Sequence, residues 1–218
     1  MDNEQQRILL WFHGWWTDGT RWPIGAAQAR DWAAKNGYGQ YSQVAESSDG
    51  LRFDIKPAIT KAGYLRVFRV GGAWYGMSRA GVLRRASGPL APFEPGPNPF
   101  RDTAFTTRLR HVALLERGGV MYVFFTVVGD APERVMVSTL STSGDWKDWR
   151  LSPATEVLRP EAPYECTNLP NVPSEGGDIK GPAQQIRDPY AFSENGRAYL
   201  FYSYCGEQGI AAAELTFP

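Results

Sequence analysis

Histidine and cysteine are scarce in this chain, and neither sign of charge dominates. The 218 residues include two histidines and two cysteines, and 23 basic side chains balance 23 acidic ones. Two cysteines cannot build a disulfide framework or a four-thiolate zinc site. The balanced charge removes the electrostatic basis for binding a nucleic acid or an anionic membrane. We therefore expect no metal, no cofactor and no nucleic-acid partner.

Long apolar runs are also absent. No apolar run reaches the roughly 18 residues that cross a bilayer, so no membrane partner is expected. The first residues, MDNEQQRILLWF, carry no basic stretch before their short apolar run, which is unlike a secretory leader. This favours the cytoplasm over secretion, although a truncated start would remove a leader. Whether Cys166 and Cys205 form a disulfide is left open by the sequence.

Aromatic residues and glycines are plentiful, and they recur in a pattern. The chain has 8 Trp, 10 Tyr and 11 Phe, with 23 Gly and 16 Pro, a mixture that fits many short strands joined by turns. Four strand-like aromatic segments each end in a glycine, at positions 14, 81, 129 and 206. Before three of these segments stands a dipeptide typical of two-residue hairpin turns. The dipeptides are Gly71-Gly72, Gly118-Gly119 and Asn195-Gly196.

The repeated unit predicts an all-β fold made of four-stranded antiparallel blades. A blade of about 45–50 residues is typical of a β-propeller, and a β-sandwich is the alternative architecture. We expect one propeller domain over residues 1–218, with insertions 15–40 and 158–186 at the pocket face. The first insertion contains AAQARDWAAKNG, which predicts a short helix, and the second is rich in proline and glycine.

The first repeat is shorter than the others. Its innermost strand would precede Met1, so we expect a first blade that is incomplete. Either the chain is truncated relative to a longer protein, or another segment, such as the C-terminal strand at 209–217, fills the gap. A missing strand leaves an unpaired sheet edge or a gap, and such edges pair with other chains. A homodimer is therefore one expected form of assembly.

Polar side chains cluster where the propeller topology gathers strand ends. The starts of innermost strands and the ends of second strands meet at one face of such a disc, which makes that mouth the default pocket. The polar residues expected there are His13, Arg110, His111, Asp130, Glu133, Arg134, Glu165, Arg187, Asp188 and Glu207.

Several stretches resemble a known superfamily of enzymes. The segments SSDGLRF (47–53), RHVALL (110–115), VGDAPERV (128–135), QIRDP (185–189) and YLFYSYCGEQGIAAAEL (199–215) are similar in order and spacing to the five-bladed β-propeller glycoside hydrolases. That superfamily includes arabinanases, β-xylosidases and invertases. The resemblance is greatest to an uncharacterised group similar to glycoside hydrolase family 43. It implies an axial pocket with three carboxylates: a base, a general acid, and one that tunes the acid and orients the substrate.

The resemblance and the mouth positions together suggest three catalytic carboxylates. Asp188 would be a pocket carboxylate held by Arg187, Glu133 a general acid, and Glu165 an acid reaching over the mouth from the long connector. The structural alternatives are an Arg–Asp pair at a strand start, a loop salt bridge and a solvated loop carboxylate. The residues expected to bind substrate are His13, Arg110, His111, Asp130, Arg134, Arg187 and Glu207.

The function expected from these residues is hydrolysis of a carbohydrate by carboxylate acid–base catalysis. One carboxylate would activate water while another protonates the leaving oxygen. In the superfamily the base usually lies on the innermost strand of the first blade, which is missing here. The alternative is therefore a catalytically inactive carbohydrate-binding or interaction module derived from such an enzyme. Binding of a sugar without turnover would distinguish the two.

Overall fold

The computed structural model describes residues 6–15, 31, 34–35 and 39–217. Strands dominate these ranges, and short 3₁₀ turns lie at Arg79–Gly81, Trp146–Asp148 and Pro163–Glu165. No helix within the described ranges has the length and apolar character needed to cross a membrane. The strands are β1 (Ile8–Trp15), β2 (Gln40–Ser47), β3 (Asp54–Thr60), β4 (Arg66–Val70), β5 (Ala73–Met77), β6 (Leu83–Ala86), β7 (Glu94–Pro95), β8 (Leu109–Arg117), β9 (Val120–Val127), β10 (Val135–Leu140), β11 (Thr155–Leu158), β12 (Ile186–Glu194), β13 (Arg197–Tyr204) and β14 (Gly209–Leu215).

The all-β propeller class expected from the repeats is confirmed. The strands form four antiparallel sheets, in the orders β1-β2-β3, β4-β5-β6-β7, β8-β9-β10-β11 and β12-β13-β14. In every sheet, neighbouring strands are also consecutive in the chain. This meander is the blade of a β-propeller. The second and third sheets contain the full four-stranded unit, and the first and last sheets have three strands within the described residues.

The two-residue hairpin turns occur where the dipeptides predicted them. Gly71 and Gly72 join β4 to β5, with φ angles of 55° and 80°. Asn195 and Gly196 join β12 to β13, with φ angles of 51° and 77°. Two successive left-handed residues form the type I′ turn, whose twist matches that of the flanking strands. Glycine and asparagine adopt this conformation with little strain, so the dipeptides fix the hairpin register.

By its internal contacts the chain divides into two compact units. The first comprises the chain up to Arg79 together with Leu83–Gly96, and it holds the first two sheets. The second comprises Ala80–Val82 and the chain from Pro97 onward, and it holds the last two sheets. A buried apolar cluster joins these last two sheets, because alternate residues of their strands face each other. It consists of Ala113, Leu115, Phe124, Val135, Ile186, Ala198, Leu200 and Tyr202.

Both predicted insertions connect strands as the sequence indicated. Trp15 pairs with Gln40 in the β1–β2 ladder, so the first insertion connects two adjacent antiparallel strands. Most of its residues, including most of the predicted short helix, lie outside the described ranges. The second insertion links β11 to β12 and is irregular except for the 3₁₀ turn at Pro163–Glu165. This long connector returns to the starts of β8 and β12, which carry charged residues.

Candidate active site

A bulge in β8 places two of the predicted binding residues. The β8–β9 register shifts between Leu109 and Val112, so Arg110 and His111 together oppose a single residue of β9. A bulge of this kind bends the strand and redirects its side chains. In a regular strand, two neighbouring residues point to opposite faces. Because of the bulge, Arg110 and His111 can both contribute their side chains to one cluster.

The start of β12 has the same irregularity. The β12–β13 register shifts between Arg187 and Tyr190, so Asp188 and Pro189 oppose one residue of β13. Asp188 adopts φ = 53°, a left-handed conformation that aspartate tolerates better than most residues. Both bulges lie at the start of an innermost strand, and residues from the two bulges contact each other.

Glu133 is the centre of the buried part of this cluster. Its carboxylate is 0% exposed and accepts two hydrogen bonds from Arg110, at 2.7 Å from Nε and 3.1 Å from Nη2. A second guanidinium, that of Arg187, lies 3.6 Å from Glu133 Oε2. A general acid needs a proton aimed at the substrate, whereas both oxygens of Glu133 face arginines and neither reaches solvent. The geometry therefore favours Glu133 as a buried counter-ion and does not favour the expected acid role.

Arg187 connects the buried carboxylate to an accessible one. Its side chain is 1% exposed, and its Nη1 donates a hydrogen bond of 2.8 Å to Glu207 Oε1. Its Nη2 donates to the side-chain oxygen of Gln185. The Glu207 carboxylate is 36% exposed, so it can meet a ligand while remaining attached to the buried arginine.

Asp188 is the other accessible carboxylate of the cluster. It is 33% exposed, and its Oδ1 is hydrogen-bonded to Nδ1 of His111. Ser203 Oγ lies 3.3 Å from Oδ2 and can donate to it. Burial acts to raise the pKa of Asp188, but the hydrogen bond from His111 and the positive charges of His111, Arg187 and Arg110 hold that pKa below its ordinary value. Asp188 is therefore an ionised, oriented carboxylate at neutral pH.

Glu165 lies elsewhere in the second unit and is buried. Its Oε2 accepts backbone hydrogen bonds from Glu161 and Ala162, at 2.7 and 2.8 Å, and its Oε1 accepts one of 2.8 Å from the Tyr202 hydroxyl. Burial raises the pKa of Tyr202, and its hydrogen bonds with Tyr164 and Glu165 act in the same direction. Oε2 of Glu165 thus stabilises the 3₁₀ turn, and Oε1 ties that turn to β13. The geometry does not favour an acid that reaches over the mouth.

Asp130 and Arg134 form a more exposed network of ion pairs. Asp130 lies 3.6 Å from Arg108 and 3.7 Å from Arg134, and Arg134 also lies 3.1 Å from Glu156. Their charged partners are surface groups, in contrast to the buried partners of Glu133. Through these contacts Asp130 and Arg134 stabilise the loop that carries Glu133. The substrate-binding role expected for the two residues stays a prediction.

His13 belongs to the first unit. Its ring packs against that of Tyr64, with the ring centroids 3.8 Å apart and the planes inclined by 50°. The substrate-binding role expected for this residue also stays a prediction.

The two cysteines are paired in the structure, which settles the question that the sequence left open. Cys166 and Cys205 form a disulfide across a sequence separation of 39. The bond joins the residue after the Glu165 turn to the residue after β13. It therefore links the long connector to the turn that carries Glu207.

Three further polar residues, which the sequence did not mark as catalytic or substrate-binding, contact the candidate site residues. Gln185 binds Arg187, Ser203 contacts Asp188, and Tyr202 binds Glu165. Gln185 and Ser203 lie within stretches that carried the superfamily resemblance, and this was the available signal. Ser203 and Tyr202 lie 15 and 37 positions from their partners in the sequence, so these two contacts could not be predicted from residue type alone.

No protein-family model matches the chain. It is 37% identical over 190 residues to the uncharacterized protein R118 of Acanthamoeba polyphaga mimivirus, and the match covers 82% of this chain and 53% of the viral protein. The chain therefore spans about half the length of the curated relative it matches.

Several solved structures share the fold. An endo-1,4-β-xylanase from Bacteroides thetaiotaomicron aligns with a TM-score of 0.57 at 13% identity, over 98% of this chain and 69% of that one. A GH32 β-fructofuranosidase of Bombyx mori gives 0.55 at 14% identity, over 94% and 42% respectively. A thermostable family-43 glycoside hydrolase gives 0.54 at 15% identity, over 83% and 65%. At these identities the likeness concerns the fold alone, and it shows that this chain has a glycoside-hydrolase-like fold.

Proposed function

We propose that the chain acts on a carbohydrate as a glycoside hydrolase, at the site formed by Asp188, His111, Arg187 and Glu207. The observation that carries the proposal is Asp188: an ionised, part-exposed carboxylate held by His111 beside a buried arginine cluster. Buried charges arranged around an accessible carboxylate with a shifted pKa are typical of catalytic centres. The glycoside-hydrolase-like fold supplies the substrate class.

In this proposal Asp188 is the carboxylate that reacts. It would accept a proton from the attacking water or stabilise the positive charge that develops at the anomeric carbon. Its hydrogen bond to His111 fixes the orientation of the carboxylate and, together with the charges of His111, Arg187 and Arg110, keeps it ionised. Electrostatic stabilisation of this kind is strongest where the charged groups are already oriented.

Glu207 is the second carboxylate of the proposal. It is the other accessible carboxylate of the cluster, and only its Oε1 is paired with Arg187. Protonated at Oε2, it would donate that proton to the leaving oxygen as the glycosidic C–O bond breaks. In this arrangement Glu133 positions the two arginines, and Glu165 holds the connector. The proposed mechanism thus uses two catalytic carboxylates. It assigns the role of general acid to Glu207, which the sequence analysis placed among the substrate-binding residues.

Hydrolysis assays with aryl glycosides and oligosaccharides test the proposal. Asp188→Asn and Glu207→Gln should each lower kcat by about a hundredfold or more on natural linkages, which is the usual contribution of one acid–base group. A leaving group of low pKa needs less proton donation, so it should restore much of the Glu207→Gln activity and little of the Asp188→Asn activity.

The control is Glu214→Gln, because Glu214 pairs with Arg197 on the same sheet, away from the cluster, and should leave turnover unchanged. Wild-type turnover that survives Asp188→Asn would refute the role of Asp188. Sugar binding by calorimetry with no turnover of any substrate would replace the proposal with a binding module.

A further inference from the structure

The two buried arginines have their outward N–H groups occupied by the chain itself. Arg110 Nη1 donates to the carbonyl oxygen of Gly177 at 3.1 Å, and Arg110 Nη2 donates to the carbonyl oxygen of Glu175. Arg187 Nη1 shares the Gly177 oxygen at 3.5 Å. We name residues 174–181 of the long connector the strap, because they lie across the arginine pair.

Ser174 anchors the first end of the strap. Ser174 is buried, and both its Oγ and its carbonyl oxygen accept from the amide of Gly129, at 3.1 and 3.0 Å. The amide of Ser174 donates to the carbonyl of Asp130 at 3.0 Å. Beyond this anchor, Glu175, Gly176 and Gly177 are exposed on their outer side, and a Cβ added at either glycine would meet nothing within 4 Å. At the other end of the strap, Ile179 and Gly181 pack so closely on Gly206 that a Cβ there would lie within 2.9 Å of both. The strap is therefore held at its two ends, and its middle is held by the arginines.

The charges beneath the strap indicate what kind of ligand could replace it. Arg110 and Arg187 carry two positive charges, and Glu133, Glu207 and Asp188 already supply the compensating negative charges. A further anion would therefore gain little there. The present occupants are amide carbonyl oxygens, which are neutral acceptors, and the hydroxyl oxygens of a neutral sugar accept hydrogen bonds in the same way.

Within the arginine pair, one buried donor has no acceptor among the residues that the structure describes. Nε of Arg187 has no hydrogen-bond partner among the described residues, although the side chain is 1% exposed. Buried polar groups are nearly always satisfied, so this N–H points to an acceptor that the closed strap does not provide. The strap thus satisfies the arginines incompletely.

We propose that Arg110 and Arg187 form a subsite for the hydroxyl groups of a neutral sugar, and that the strap fills this subsite until a sugar displaces it. This inference rests on the proposed function for the ligand class, and it adds a gate to the site. The strap carbonyls take the places of sugar hydroxyls, and opening requires the contacts of Glu175 and Gly177 with the guanidiniums to break.

The gate can be tested without measuring turnover. Phenylglyoxal modifies accessible arginines, and peptide mass spectrometry reports each position separately. Ser174→Ala removes one anchoring hydrogen bond and should increase labelling of Arg110 about fivefold, the factor corresponding to one ordinary hydrogen bond. Ser174→Thr keeps the hydroxyl and should label as the wild type does. Ser193→Ala, an exposed change on β12, is the matched control, and exposed Arg197 is the internal reference.

Ligand class is tested on the unmodified protein by hydrogen exchange. Arabinose, xylose or fructose at high concentration should accelerate amide exchange in residues 175–181 and protect Arg110 from labelling, whereas galacturonate should do neither. Equal labelling of Arg110 in the wild type and in Ser174→Ala would overturn the gate. Faster strap exchange in Ser174→Ala without greater arginine labelling would also overturn it. Protection by galacturonate alone would overturn the neutral ligand. Each result stands whether or not a glycosidase activity is found.

Discussion

Replacing Glu133 by glutamine should be one of the most damaging single changes in the second unit. Glutamine has nearly the same shape, but it loses the charge and turns one acceptor oxygen into an NH2 donor. That NH2 donor would face other N–H donors. The nitrogens of Arg110 lie 2.7 and 3.1 Å from the Glu133 carboxylate, and the nearest nitrogen of Arg187 lies 3.6 Å from it. Removing one partner of a fully buried ion pair costs about 3–5 kcal/mol, because the remaining charge stays uncompensated. That is a large part of the roughly 5–15 kcal/mol by which domains are stable.

Urea denaturation followed by circular dichroism measures this cost. Asp130→Asn provides the control, since Asp130 lies in the same loop but pairs at 3.6 and 3.7 Å with more exposed arginines. Exposed pairs contribute less than about 1 kcal/mol, so this variant should unfold nearly as the wild type does. If Glu133→Gln lowers the unfolding free energy no more than Asp130→Asn does, then the buried ion pairs of Glu133 do not stabilise the fold.

Two further predictions concern the disulfide and the carboxylate of Asp188. The Cys166→Ala/Cys205→Ala double variant should lose about 4 kcal/mol of unfolding free energy, because the bond closes a loop with a sequence separation of 39 and so lowers the entropy of the unfolded chain. Reductant should shift the wild-type melting curve but not that of the variant. Reductant that leaves the wild-type curve unchanged would contradict this. The folded pKa of Asp188 lies below its ordinary value of 3.8, so its ionised form stabilises the fold above that pH and loses this effect as the pH falls through the folded pKa. The stability difference between wild type and Asp188→Asn should therefore be largest near neutrality and shrink below about pH 4; a pH-independent difference in melting temperature would count against it.

The hairpins show how much of the fold could be predicted from local sequence. Gly71-Gly72 and Asn195-Gly196 stand where two successive residues must have positive φ, and few other dipeptides adopt that geometry. The aromatic and β-branched runs on either side then pair in the only register that the short turn allows. Strand order within each blade follows from these local rules, because every paired neighbour is also the next strand in the chain.

The candidate site was predicted less completely than the fold. The positions of Asp188, Arg187, Arg110 and His111 at strand starts indicated that they would meet, and they do. Residue type and predicted position made Glu133 and Glu165 catalytic candidates beside Asp188, although the carboxylates of both are buried and hydrogen-bonded. The difference arises from bulges and from the path of the long connector, neither of which has a strong sequence signal.

The sequence by itself determined the repeating blade, since turn dipeptides and alternating apolar residues act over a few positions and need no distant partner. Tertiary structure alone decided which acids are accessible. Arg110 and Glu133 are 23 positions apart in one sheet, so their pairing depends on the bulge in β8 and on the path of the β9–β10 loop. His111 and Asp188 are 77 apart in different sheets, so their pairing depends on how those two sheets pack together. The free energy of a charge depends on its burial and on its partners, and both are properties of the packed fold.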